Sequence, residues 1–457
     1  MSKTGSSHAG FRVAAVGFIK RCLYGALLLA ASDAGGAWFG LCGEGQAPPR
    51  STTLNTLMDP AGNKLLLLTA EQPHPECRMI DLPVSPDSVR WAQVLTRSAA
   101  QALGRGVMLQ GVERGTGFAV SEVMPIDEPA AVRGPLPVAA ELRLESLRPA
   151  AKAAGRALWV WNPAAWKAGA KELFGLLAAN AADTVYVSVP LAPAGAGVAD
   201  SDRLRLFVTE AARRGVRVWA VAGDPRALLP QERASYVARA QAYAGYNAGA
   251  TPEARLAGVQ FDIEPYLNPG YHIETEDWLA AYLDTLSLLK PAAGMPVDVA
   301  IPFWWGQQAF RGAAFLDHLA PLVDSVTVMN YRTNPEQLLR FAEPFLAWGA
   351  RRQRTVRIAL EAGPIEDESI RIFRRAEAGE LWLVALAEHS LVLLLDKAAP
   401  NPAGPVFGYS HTTPARGSNI TFRNDLSALR ELLPRLEAVW SAWPSFAGIA
   451  LHGLDTP

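Results

Sequence analysis

The chain has 457 residues, 50% of them hydrophobic, and a formal net charge of −1. That length accommodates two or three domains, or one barrel of about 250 residues or more with an appendage. Near-neutral charge without a Lys/Arg block excludes the basic patch on which nucleic-acid binding rests, and the composition is that of a folded enzyme rather than a disordered chain.

At the N-terminus, Arg12, Lys20 and Arg21 precede the apolar run Leu23 to Ala31, and Ala30, Ala31, Ser32, Ala34 and Gly35 close it. A positive start, a short apolar stretch and a small-residue exit form the pattern of a signal peptide over residues 1–35. The apolar run is short for a spanning helix. Counted from Phe11 the segment is longer but interrupted by Lys20 and Arg21, so a membrane anchor is the competing reading. Export to a periplasmic or extracellular space is the expectation, with a tether on the second reading. Cys22 would leave with the leader; Cys42 and Cys77 could pair in an oxidising compartment. No Cys/His spacing suggests zinc.

Residues 50–150 are punctuated by Pro and Gly and hold short strand-like runs such as Lys64 to Leu68 and Val107 to Leu109. They read as a small β-rich region of unknown role, followed by a linker around Gly134, Pro135, Pro137 and Pro149.

From 155 to 457 the pattern is regular. Strands are predicted at Leu158–Trp161, Thr184–Val189, Val216–Val221, Gly258–Ile263, Pro296–Ile301, Ser325–Met329, Thr355–Leu360 and Phe446–Leu451. Helices are predicted at Lys167–Asn180, Ser201–Arg214, Pro230–Gly245, Glu274–Leu289, Gly312–Ala320, Pro335–Gly349 and Asp425–Trp440. Eight apolar strands alternating with helices imply parallel pairing and a (β/α)8 TIM barrel. An open doubly wound sheet would carry a Gly-rich phosphate turn after its first strand, and Trp161-Asn162-Pro163 is not one. One excess segment, about Ile365 to Asn424, interrupts the rhythm after the seventh strand. With strand-like runs Glu380–Val384 and Leu391–Leu395, it reads as a β-rich insertion or lid on the substrate face.

The fourth strand ends GVQFDIEPY. Residues two apart on a strand share a face, so Gln260, Asp262 and Glu264 point into the barrel while Val259, Phe261 and Ile263 face the helices. The two acids then lie at the C-terminal end, where barrel enzymes keep their chemistry. Neighbouring carboxylates disfavour each other's charge and keep one protonated near neutrality, which is what protonating a glycosidic oxygen requires. Trp161, Trp304 and Trp305, at or just beyond other strand ends, are candidate stacking surfaces for sugar rings. Asn330 is a candidate polar pocket residue, as are Asn162 and Asp224.

This stretch resembles the signature of glycoside hydrolase family 18, the chitinase-like barrels, Asp-x-x-Asp-x-Asp-x-Glu. Asp262 and Glu264 match its last two positions, while Ala257 and Gln260 stand where the earlier acids would be. The resemblance implies Glu264 as general acid and Asp262 as the carboxylate orienting a substrate acetamido group, whose carbonyl is the nucleophile. Val328-Met329-Asn330-Tyr331 resembles the family's Met-x-Tyr motif, implying that Tyr331 hydrogen-bonds the acetamido group. The stretch Gly448 to Asp455 resembles the eighth-strand motif, with His452 where the family commonly has Trp. No metal or organic cofactor is implied, and the partner is a polysaccharide or oligosaccharide. A second layout is open: Glu264 and Glu361, at the end of the seventh strand, resemble the acid/base and nucleophile of the retaining two-carboxylate clan, though Ile263 replaces the usual Asn. There Glu361 acts directly; otherwise it lines the pocket or pairs with Arg332. The alternative from another class is a non-catalytic carbohydrate-binding barrel.

Overall fold

A computed structural model describes residues 37–454 except 59–63, 116, 127–154, 168–169, 194–196, 269–270 and 273. The expected leader at 1–35 and the linker near 134–149 lie outside the described residues. Among the described residues no helix is long and apolar enough to cross a membrane.

The N-terminal part contributes β1 (Ala37–Gly43), β2 (Ser51–Met58), β3 (Lys64–Ala70), β4 (Arg78–Leu82), β5 (Val89–Thr96), the short helix α1 (Arg97–Ala102), β6 (Gly106–Arg114) and β7 (Gly117–Pro125). The barrel follows: β8 (Arg156–Val160), α2 (Ala164–Lys167), α3 (Lys171–Ala179), β9 (Ala182–Ser188), α4 (Ser201–Arg213), β10 (Arg217–Ala222), α5 (Pro230–Ala248), β11 (Gly258–Phe261), α6 (Thr275–Ala293) and β12 (Val297–Pro302). After a small hairpin, β13 (Ala309–Phe310) and β14 (Ala313–Ala314), come α7 (Phe315–Leu319), β15 (Ser325–Met329), α8 (Pro335–Arg352) and β16 (Thr355–Glu361). The segment after it carries β17 (Glu368–Arg375), β18 (Gly379–Leu386), β19 (His389–Ala399) and β20 (Val406–Ala415). Helix α9 (Leu426–Trp440) and β21 (Phe446–His452) complete the barrel.

Strands β8, β9, β10, β11, β12, β15, β16 and β21 close in sequence order, every pairing parallel. This is the expected TIM barrel. The helices that cover it are amphipathic at a 3.6-residue period. In α4, Leu204, Phe207, Val208 and Ala211 are buried, and in α9, Leu429, Leu432, Leu433, Leu436 and Trp440. Asn334 and Asp425 cap α8 and α9, accepting from the backbone N–H of Gln337 and Ala428, which satisfies donors that a helix start leaves open. Outward-facing strand residues such as Val259, Phe261, Val299, Val328 and Ile358 pack beneath these helices. Inward residues, among them Ala157, Trp159, Tyr186, Val221, Ala359 and Ala450, fill the barrel itself.

The N-terminal region and the insertion meet in the appendage. Strands β5, β6 and β7 of the N-terminal region and the four insertion strands build one seven-stranded antiparallel sheet in the order β5-β19-β18-β20-β17-β6-β7. The four insertion strands occupy its centre, and N-terminal strands flank them on both edges, with Val94 opposite Leu391 and Met108 opposite Ile372. The sheet β2-β3-β1-β4 covers one face through Phe39, Leu41, Leu67 and Leu82 against Trp382, Val384, Leu391 and Leu393. The insertion thus forms the middle of a β-domain. Cys42 and Cys77 are disulfide-bonded, with Cα atoms 4.6 Å apart.

Candidate active site

The β11 ladder stops at Phe261, two residues before the predicted end, but the N–H of Asp262 still donates to the Ala222 carbonyl at 2.9 Å. Pro265 has no N–H to continue a ladder and opens a 3-10 turn, Pro265–Leu267, with Glu264 at its cap. The alternation survives this exit: Ile263 is buried with the helix layer, while Asp262 and Glu264 lie partly buried at the barrel mouth. Gly223, at the end of β10, makes room for them. A Cβ there would come within 1.9 Å of the Asp262 carbonyl oxygen.

Burial raises the Glu264 carboxyl well above the ordinary range and the charge of Asp262 raises it further; a hydrogen bond from the Tyr266 hydroxyl to Oε1 works the other way. Burial also lifts Asp262, to about 6, and Asp298 pushes it further up. Asp262 Oδ1 is buried without a hydrogen-bond partner. A carboxyl with an elevated proton affinity beside a second carboxyl is the arrangement that separates an acid from its neighbour. Tyr331 follows β15, and burial together with Glu361, Asp262 and Glu264 raises its phenol well above its usual value, keeping it a neutral donor.

Glu361 and His452 end the neighbouring strands β16 and β21, where they sit opposite each other in the register. Glu361 is 2% exposed. Its Oε1 accepts from the Gly363 N–H at 2.6 Å and its Oε2 contacts His452 Nδ1 at 2.6 Å. Trp161 donates its indole N–H to His452 Nε2 at 3.0 Å, and Tyr331 stacks on the imidazole with centroids 6.1 Å apart. The pairing of Glu361 with Arg332 does not occur: the Arg332 guanidinium lies over the Phe303 ring and donates to the Tyr331 carbonyl.

Other expected site residues fall away from the cleft. Gln260 is fully buried below the acids, accepting from Trp159 Nε1 and donating to Asp298 Oδ2 at 2.6 Å and Thr327 Oγ1 at 3.2 Å. Trp305 is buried among Tyr282 and Phe315 and donates to the Tyr271 hydroxyl at 3.0 Å. Asn330 is buried and donates to the Leu338 carbonyl, tying the loop to α8. Packing from adjacent elements covers these three. Asn162 and Asp224 cap local turns through Ala164 N and Arg226 N. Trp304 is 40% exposed, edge-on to Tyr266 at 5.1 Å.

Two residues that act on the candidate acids escaped the sequence reading. Asp298, opposite Gln260 on β12, accepts from Ser325 Oγ at 2.6 Å and Thr327 Oγ1 at 2.7 Å, and burial raises its carboxyl. A lone acid in the apolar run Val297–Ile301 was its signal. Tyr266 was the other, two residues beyond Glu264 and within reach of it. Among the described residues no group of three His, Cys, Asp or Glu side chains could hold a metal ion.

No protein-family model and no curated protein matches the chain. Solved structures similar to it include a chitinase from Chromobacterium violaceum ATCC 12472, at 13% identity over 66% of this chain and 95% of that one, TM-score 0.35. A GH113 beta-1,4-mannanase matches at 12% identity over 66% and 88%, TM-score 0.38. The Bacillus cereus spore cortex-lytic enzyme SleL matches at 11% over 66% and 72%, TM-score 0.33.

Proposed function

We propose that the protein is an exported glycoside hydrolase acting on an N-acetylated glycan, with Glu264 as general acid. The observation that carries this reading is the pair Asp262 and Glu264 at the C-terminal mouth of a closed barrel, with Glu264 the group held protonated. Glu264 gives its proton to the glycosidic oxygen as the bond from that oxygen to C1 breaks, the electron pair leaving with the oxygen. The acetamido carbonyl oxygen of the same sugar bonds to C1; Asp262 accepts the amide N–H, and Tyr331 donates to the acetamido oxygen. Water then opens the cyclic intermediate, and Glu264, now a carboxylate, takes its proton. Trp304, exposed beside Tyr266, and Trp161 offer apolar faces to sugar rings.

Glu361 favours this over the two-carboxylate mechanism. Both of its oxygens are engaged, by Gly363 N–H and by His452, in a nearly water-free position, and a nucleophile needs an oxygen free to approach C1. The Cys42–Cys77 disulfide supports export, because such bonds persist in oxidising compartments.

The test is hydrolysis of a panel of chitin-, mannan- and peptidoglycan-derived oligosaccharides by the native protein and Glu264→Gln. Turnover of an N-acetylated member, lost in the variant, is expected. Full activity in Glu264→Gln sinks the assignment, and binding without turnover would make the barrel a glycan receptor.

A further inference from the structure

We propose that Tyr266 is the positioning residue of the proton donor, fixing which oxygen of Glu264 carries the transferable proton; this rests on reading Glu264 as the acid. The Tyr266 hydroxyl donates to Glu264 Oε1. A neutral carboxyl has one carbonyl oxygen and one hydroxyl oxygen, and the carbonyl oxygen is the better acceptor. A donor fixed on Oε1 therefore makes Oε1 the carbonyl and leaves the acid proton on Oε2.

Tyr266 can do this because it is held on all sides. It sits in the 3-10 turn that follows Glu264, 5% exposed, and Leu267 N–H returns to the Glu264 carbonyl at 3.1 Å. Its ring meets Tyr271 edge-on at 6.3 Å and Trp304 at 5.1 Å. Tyr271 is itself pinned by the indole N–H of Trp305, and the Asn268 side chain ties the turn to the Pro225 and Pro265 carbonyls at 3.1 and 3.3 Å. The buried Trp305, unsuited to touch a sugar, thus acquires a role three contacts removed from the acid.

The bond also sets the strength of the acid. Burial and Asp262 push Glu264 toward a weak acid, and the phenol pulls it back by stabilising the carboxylate. When the proton leaves Oε2 for the glycosidic oxygen, the Tyr266 bond to Oε1 becomes charge-assisted and stronger. The phenol keeps its own proton throughout, since burial and Glu264 raise it well above its usual value. Such a hydrogen bond, stronger after the transfer than before, lowers the barrier rather than merely tightening binding.

The experiment is pH-difference infrared spectroscopy of the full chain, reading the carbonyl stretch of protonated carboxyls, with Glu264→Gln identifying the Glu264 band. In Tyr266→Phe that band is expected to titrate about 1 pH unit higher and to move to higher frequency. 3-Fluorotyrosine at position 266, a stronger donor of nearly native size, is expected to shift the titration the other way and guards against a misfolded Phe variant. A band unmoved by both replacements overturns the proposal. On a substrate the native protein cleaves, the alkaline limb of kcat/KM should rise with the band in Tyr266→Phe while kcat falls about tenfold. If Glu264→Gln keeps full activity, the acid assignment fails, yet the band still judges the Tyr266–Glu264 bond separately.

Discussion

His452 donates its Nδ1–H to Oε2 of Glu361 across 2.6 Å, because its other ring nitrogen is already taken by the indole N–H of Trp161. Indole nitrogen can only donate, so Nε2 must accept and the ring proton resides on Nδ1. Two strand ends and the first strand of the barrel are thereby locked together beside the acids.

Glu361→Ala should therefore act as a structural lesion. It strands the buried Gly363 N–H and His452 Nδ1–H without acceptors, a loss of about 2–5 kcal/mol read by urea unfolding. Added azide should not restore turnover to this variant. Rescue by azide would mark Glu361 as a nucleophile and return the two-carboxylate mechanism.

Asp262 should make the folded state weaker as pH rises. Burial lifts its carboxyl from 3.8 in the unfolded chain to about 6, with Asp298 reinforcing. Between these values the folded protein holds a proton that the unfolded chain has released, so stability declines through that window and stays lower above it. Asp262→Asn should accordingly be more stable than the native protein at pH 8 by about 1–3 kcal/mol, with no gain below about pH 4. Urea unfolding at both pH values checks this, and a gain that persists at pH 4 would contradict it.

Gly223→Ala should impair turnover although residue 223 has no side chain to take part in the chemistry. Its Cβ would lie 1.9 Å from the Asp262 carbonyl oxygen, forcing the backbone that carries both acids to shift. Overpacking of this kind costs about 1–3 kcal/mol, and displacement of the acids should lower kcat at least about tenfold. Native kcat in a folded variant would show that the strand end tolerates the displacement.

A barrel expressed as residues 155–457 should not remain soluble alone. It lacks β5, β6 and β7, leaving β19 and β17 as open edges and uncovering Phe373, Leu383 and Leu394. Co-expression with residues 37–126 should recover a soluble complex, measured by size-exclusion chromatography. A monomeric, soluble 155–457 fragment would overturn the single-domain reading of the β-sheet.

The barrel was legible because its signals are local. Each strand reads as an apolar run, each helix as a 3.6-residue stripe ended by Gly215, Gly294 or a cap, and eight repeats leave few ways to close. The same locality made Asp262 and Glu264 visible, since period-two alternation along one strand assigns their face without reference to any neighbour. It misjudged Trp305, Asn330 and Gln260, whose exposure depends on what other elements lay over them.

By itself, then, the sequence determined the barrel and the pair of acids at the end of its fourth strand. Only the tertiary structure decided what surrounds that pair and what the appendage is. Gln110 meets Glu368 across a sequence separation of 258, and Arg90 meets Asp396 across 306. No periodicity reaches so far, because antiparallel edge pairing is chosen by complementary faces in the folded chain rather than by spacing along it. Likewise Asp298 became meaningful only once folding brought its charge, from the neighbouring strand β12, to bear on Asp262.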